Sequence, residues 1–147
     1  MLGIQKLASL AEIVDFELGD LKLTAEFASQ DITELMAWDP IAQKKVWGVK
    51  TDLPFNGGTL TTAGGLTFWG DLHGVFHAYD AKNGKELWQI PLGSGIGAGP
   101  ISYAVNGKQY VAVVVGRTAA IPAFLGDIGK KMTEATPEGG AVFVFTE

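Results

Sequence analysis

Two histidines stand four residues apart in "DLHGVFHAYD", His73 and His77, and imidazole is the commonest nitrogen ligand for a transition metal. On a strand that spacing puts both side chains on one face about 13 Å apart. That is too far for one ion, and no third ligand accompanies them. The chain has no cysteine, so disulfides, thiolate metal sites and cysteine nucleophiles all fall away. No Ser–His–Asp arrangement can be argued from the order of residues. Asp15, Glu17, Asp20, Asp31 and Glu34 read as a solvated acidic stretch, and Asp71 and Asp127 as turn residues in glycine-flanked loops. The glycines of "GSGIGAGP" (93–100) resemble a phosphate cradle, but Pro100 and a strand follow them. A helix N-terminus that could receive the phosphate is therefore lacking. Trp69 closes an apolar strand and reads as a packing residue.

The elements that would position these groups are mostly short strands. An amphipathic helix is expected over residues 4–14, from the spacing of Ile4, Leu7, Leu10, Ala11 and Val14. "LKLTAEF" (21–27) alternates as a half-buried strand does. Hairpins follow in "ELMAWD" with "KKVWGVK", in "GTLTTAG" with "GLTFWGD", and in "GVFHAYD" with "KELWQIP". "GPISYAV" pairs with "KQYVAVVVG" across Asn106–Gly107, a dipeptide suited to tight hairpin turns. After an insertion, "GGAVFVF" forms the last strand.

One sentence is written twice along this series. "LMAWDPIAQKKVW" (35–47) and "FHAYDAKNGKELW" (76–88) share Ala37/Ala78, Asp39/Asp80, Lys44/Lys85 and Trp47/Trp88 in register. One hairpin of the form A-x-D-x-x-x-G-K-x-x-W per roughly 40 residues is the spacing of a β-propeller blade. Each part has a physical task. The alanine must be small to lie against a neighbouring blade, and the aspartate accepts hydrogen bonds from turn amides. The glycine takes a left-handed conformation, and the tryptophan is a plate that stacks over the next blade. Gln43 stands where the second copy has Gly84. A left-handed glutamine there costs about 1–2 kcal/mol, unless the turn takes another form.

The bulk composition agrees with a globular β protein. The 147 residues are 47% hydrophobic and 18% charged, with 20 glycines spaced mainly as turn punctuation. A net charge of −5 with no basic stripe argues against nucleic-acid binding. No stretch has the length of a membrane span. The first twenty residues lack a secretory pattern, so the chain as written is expected to remain in the cytoplasm.

"AWDPIAQKKVW", "PFNGGTLTTAGGL", "AYDAKNGKELW", "GIGAGPISYAVNGKQYVAVVVG" and "PEGGAVFVF", in this order and spacing, resemble the C-terminal end of the pyrroloquinoline quinone (PQQ)-dependent alcohol dehydrogenases. The resemblance implies an all-β fold, a partial β-propeller of four-stranded antiparallel blades cut from an eight-bladed parent. It divides the chain into an N-terminal segment (1–30) and propeller repeats (31–147), about two complete blades plus partial ones. Ala37, Trp47, Ala78, Gly84 and Trp88 then belong to that family's tryptophan-docking repeat. The family oxidises primary alcohols to aldehydes in the periplasm, carries calcium or a lanthanide beside PQQ, and passes electrons to a cytochrome c.

Little of that chemistry is expected in this chain, because the family's metal ligands and catalytic aspartate fall in segments it lacks. Four residues match positions near the cofactor. Asn56 suits a quinone or carboxylate oxygen, or else is a turn residue before Gly57–Gly58. Ala120 and Ile121 match the segment that covers PQQ. Arg117 either balances a PQQ carboxylate or is a solvated loop residue. The reading is a fragment or subunit of such a dehydrogenase, inactive alone; the alternative is a non-enzymatic propeller scaffold. The expected partners are the remaining blades or a second copy. Val111, Val113, Val115, Phe143 and Phe145 are expected to form the open apolar face.

Overall fold

The computed structural model of the protein describes residues 33–54, 57–117 and 122–146. The helix and strand expected at 4–14 and 21–27 lie outside those residues, as do Asn56, Ala120 and Ile121. The described strands form three antiparallel sheets in chain order. The first pairs β1 (Thr33–Asp39) with β2 (Lys44–Thr51). The second is a complete four-stranded blade of β3 (Thr59–Thr61), β4 (Leu66–Gly70), β5 (Val75–Asp80) and β6 (Glu86–Pro91). The third holds β7 (Ile101–Val105), β8 (Lys108–Gly116) and β9 (Gly140–Thr146). Every neighbour in each sheet is next in sequence, the up-and-down order of propeller blades.

The turns take the forms that their residues dictate. Asn106 and Gly107 both have positive φ (52° and 78°), the conformation of a two-residue hairpin whose twist matches its strands. In the two repeat hairpins the aspartates work alike. Asp39 accepts from the amides of Ile41 and Ala42 at 2.9 and 3.0 Å, and Asp80 from that of Lys82 at 2.8 Å. The amide bonds to Asp39, Ala42 first and then Ile41, hold its carboxyl below the ordinary value. Gly84 is left-handed at φ 71°, and Gln43 is left-handed too, at φ 49°. The first turn thus keeps its form and carries the strain. Both hairpins also slip register one step after the alanine, between Ala37 and Trp38 and between Ala78 and Tyr79.

Two faces of the complete blade carry the core. On one, Trp69 and Tyr79 pack with Leu35, Ala37 and Trp47 of the first sheet. On the other, Phe76 and Ile96 pack with Val113 and Val115 of the third, supported by Phe143 and Phe145. The seam on the first side is Trp47. Its ring is buried, its indole N–H donates to the Ala81 carbonyl at 3.0 Å, and a Cβ added to Gly84 would stand 2.6 Å from its Cδ2. Trp88 is different. It is 40% exposed and meets Phe76 and Phe145 edge-on, with centroids at 6.1 and 5.5 Å.

The open apolar face is the reverse of the one expected. Val113 and Val115 are buried against the blade, so the residues facing out are Ile101, Val105, Val114, Val142 and Val144. Strand alternation allows one face of β8 and β9 to pack inward, and it is the valine–phenylalanine face that does. The insertion also holds a helix that glycines disguise, α1 (Gly126–Ala135), so Asp127 stands in a helical first turn and not in a loop. Met132 of α1 is buried against Leu53 and Leu72, with Ile128 beside them. Gly129 has no room for a side chain, because the Pro122 backbone lies against it.

Burial orders the two tryptophans. Trp47→Ala should cost about 3–5 kcal/mol and Trp88→Ala clearly less, read by denaturant unfolding of the two variants. Gln43→Gly should stabilise by about 1 kcal/mol as the left-handed strain is removed; an unchanged midpoint would mean that the strain is absent.

Candidate functional site

The polar residues gather in two places, the loops at one end of the complete blade and a buried cluster on its face. The loop from Leu92 to Pro100 is tied into the fold at several points. Ile96 plugs it into the core, fully buried against Gly70, and its amide donates to the Asp71 carbonyl at 2.9 Å. Gly95 N donates to the Thr136 hydroxyl and Ser94 Oγ to the Pro137 carbonyl, both at 2.9 Å. These bonds fasten the insertion to the blade. The glycine-rich loop is therefore a joint.

Arg117, directly after β8, completes that joint. Its guanidinium donates to the Thr133 carbonyl, to the Thr136 carbonyl at 3.3 Å and to the Glu138 carboxylate at 2.5 Å. Three of the five N–H groups of an arginine are thus committed to the insertion. The side chain is 15% exposed, so it is not a solvated loop residue. The cation also lies beside the C-terminal carbonyls of α1, where a helix presents partial negative charge.

The two histidines part company. His73 lies in the turn between β4 and β5 and not on a strand face. Its Nε2 meets the Asp52 carboxylate at 2.8 Å in an exposed pair, and that hydrogen bond holds the Asp52 carboxyl below its ordinary value. His77 is on β5 and buried. Its ring is stacked between Trp69 and Tyr79, with centroids at 5.3 and 5.7 Å. Nδ1 meets Glu86 Oε1 at 2.6 Å and Nε2 meets Asp71 Oδ2 at 3.3 Å. Asp71 is a turn residue as well, accepting from the Val75 amide at 2.8 Å. Sequence reading missed this cluster because Asp71, His77 and Glu86 lie on three separate segments. The β4–β5–β6 register, with His77 opposite both Trp69 and Gln89, brings them together.

Among the described residues, no group of three or more histidine, aspartate or glutamate side chains could hold a metal ion. Nor is any helix among them long and apolar enough to cross a membrane. Three sheets in sequential antiparallel order, the first two joined by a tryptophan seated on a left-handed glycine, define a segment of a tryptophan-docked β-propeller. The sequence model of the PQQ family, described as the glucose/ethanol/alcohol dehydrogenase β-propeller domain, matches residues 15–111, and the chain belongs to that family. It is 47% identical over 103 residues to a 1-butanol dehydrogenase (cytochrome c) of Thauera butanivorans, across 70% of this chain and 15% of that protein. It is 44% identical over 114 residues to a quinoprotein ethanol dehydrogenase of Pseudomonas aeruginosa, across 78% of this chain and 18% of that one. Among solved structures it is similar to a europium-containing methanol dehydrogenase, with TM-score 0.70, 34% identity and coverage of 82% and 24% of the two chains. A quinohemoprotein alcohol dehydrogenase of Pseudomonas putida HK5 gives TM-score 0.72 and 38% identity over 78% and 16%. The chain therefore spans between 15% and 18% of the length of these curated relatives.

If Arg117 holds the insertion, Arg117→Ala should speed amide exchange across Gly126–Ala135 by about tenfold or more, with β4 and β5 unchanged. Equal protection of α1 in the variant and the parent would show that Met132 packing alone holds the helix.

Proposed function

We propose that this chain is a fragment or subunit of a PQQ-dependent alcohol dehydrogenase that oxidises primary alcohols to aldehydes, and that it is inactive alone. The observation that carries this reading is the docking repeat itself, a seated Trp47 in a chain 44–47% identical to alcohol dehydrogenases. In the assembled enzyme PQQ supplies the two-electron acceptor, and a cytochrome c takes the electrons on. Calcium or a lanthanide and the proton-accepting aspartate belong to other blades.

The described residues take a supporting role toward that cofactor on this reading, and Arg117 spends its charge on Glu138 and the end of α1. On this reading Arg117 positions the covering segment, and Asn56, Ala120 and Ile121 are the residues that would face PQQ. The outward residues Ile101, Val105, Val114, Val142 and Val144 support the partner side of the proposal. Valine-rich strands exposed on this scale are met by further blades or by a second copy. Assembly on the periplasmic side of the membrane follows from the same reading.

Titration of the chain with PQQ and calcium or a lanthanide, with and without ethanol, tests the first claim. No protein-dependent dye reduction above free cofactor is expected; substrate-dependent turnover would contradict it. Co-expression with the other blades of a family member should restore turnover. A chain that binds protein partners yet never supports turnover in any such assembly would instead be a scaffold. Sedimentation at micromolar concentration should show association, and a compact, cooperatively unfolding monomer would contradict the open face.

A further inference from the structure

The cluster around His77 has no part in the proposed dehydrogenase reading, yet both nitrogens of this buried ring are engaged. Each ring nitrogen faces a carboxylate oxygen, Glu86 at 2.6 Å and Asp71 at 3.3 Å. A neutral imidazole has one N–H and one lone pair, so it can satisfy only one of the two. An imidazolium donates to both. The aromatic rings of Trp69 and Tyr79 on either side leave the side chain only 10% exposed, so water does not readily replace a lost partner.

We propose that Asp71, His77 and Glu86 form a pH-sensitive clamp that holds β6 to the blade, and the blade to the first sheet, while His77 is protonated. The clamp joins three segments, the turn after β4, the middle of β5 and the first residue of β6. It is coupled to the seam between sheets through Tyr79. That ring stacks on His77 at 5.7 Å and lies 6.5 Å from the ring of Trp47. Burial, then the charges of Glu86 and Asp71, push the phenol well above its ordinary value, so it stays neutral. Asp71, in the turn after β4, and Glu86, on β6, are the charged groups that act on His77, and the neutral Tyr79 stacks on it from β5; its direct neighbours across the sheet, Trp69 and Gln89, are uncharged.

The direction of the pH dependence follows. Burial alone pushes the imidazolium down, but the hydrogen bonds it donates to Asp71 and Glu86 outweigh that and raise His77 above 6.5. A folded value above the unfolded one gives stability that is complete below the unfolded value. That stability is lost as pH rises through the folded value. On deprotonation Glu86 is the arm that lets go, because it is 40% exposed, whereas Asp71 is 13% exposed and pinned by the Val75 amide. Asp39 and Asp52, both held low, lose their contributions only as pH falls through the acid range, outside this window.

The test follows the melting temperature of the full chain from pH 6 to pH 9 at one protein concentration, for the parent, His77→Gln and His73→Gln. The parent and His73→Gln should both lose several degrees as pH rises. His77→Gln should start lower at pH 6 and stay flat. An equal fall in His77→Gln, or a flat parent, would overturn the clamp. Should His77→Gln not fold, the imidazole nitrogen shifts of the parent decide, with His73→Gln giving the assignment. His77 more than half protonated at pH 6.5 supports the proposal, and a neutral ring with one bare nitrogen at that pH overturns it.

Discussion

The structure depends on the seating of one indole over one glycine. Trp47 ends the repeat hairpin of the first sheet and comes to rest on Gly84, in the turn of the next repeat. Any Cβ at that position would collide with the ring, and the turn also needs φ near 71°. A single residue type meets both demands, and it leaves the indole N–H within reach of the Ala81 carbonyl. The repeat is therefore a coupling device, in which the plate of one copy fits the socket of the next. Ala37 and Leu35 fill in beneath the plate beside Trp69 and Tyr79.

The other side of the blade is joined by different means. There Phe76 stacks on Phe145 at 5.6 Å, Ile96 plugs the loop, and the insertion is tied on by Gly95, Ser94 and Arg117. Trp88 lies at the same position in its hairpin as Trp47, yet it meets Phe145 edge-on and remains 40% exposed. The socket that would receive it is not among the described residues.

Much of this was legible in the residues. The Asn106–Gly107 hairpin, the strand pairs and the repeat with its two tryptophans follow from turn chemistry and period-two alternation, which are local. The left-handed strain at Gln43 was visible because its counterpart is Gly84. What could not be read depends on which face packs and what is nearby in space. Val113 and Val115 alternate correctly, but alternation alone does not say which side is covered. The helix over Gly126–Ala135 was obscured by Gly126 and Gly129, which read as turn signals until the Pro122 backbone is seen against the second. The partners of His77 come from segments that only the sheet register aligns. The shared register slip after Ala37 and Ala78 likewise had no sequence signal of its own.

The joint between the first two sheets requires that Trp47 and Gly84 act as one unit. The direct measurement is a double-mutant cycle of Trp47→Ala and Gly84→Ala, followed by equilibrium unfolding. In the parent background Gly84→Ala should be severe, because it adds a clash with the indole to the cost of a left-handed alanine. With the indole removed, only the backbone cost of about 1–2 kcal/mol should remain. Equal costs of Gly84→Ala in the two backgrounds would contradict the account, because the plate and the socket would then contribute independently.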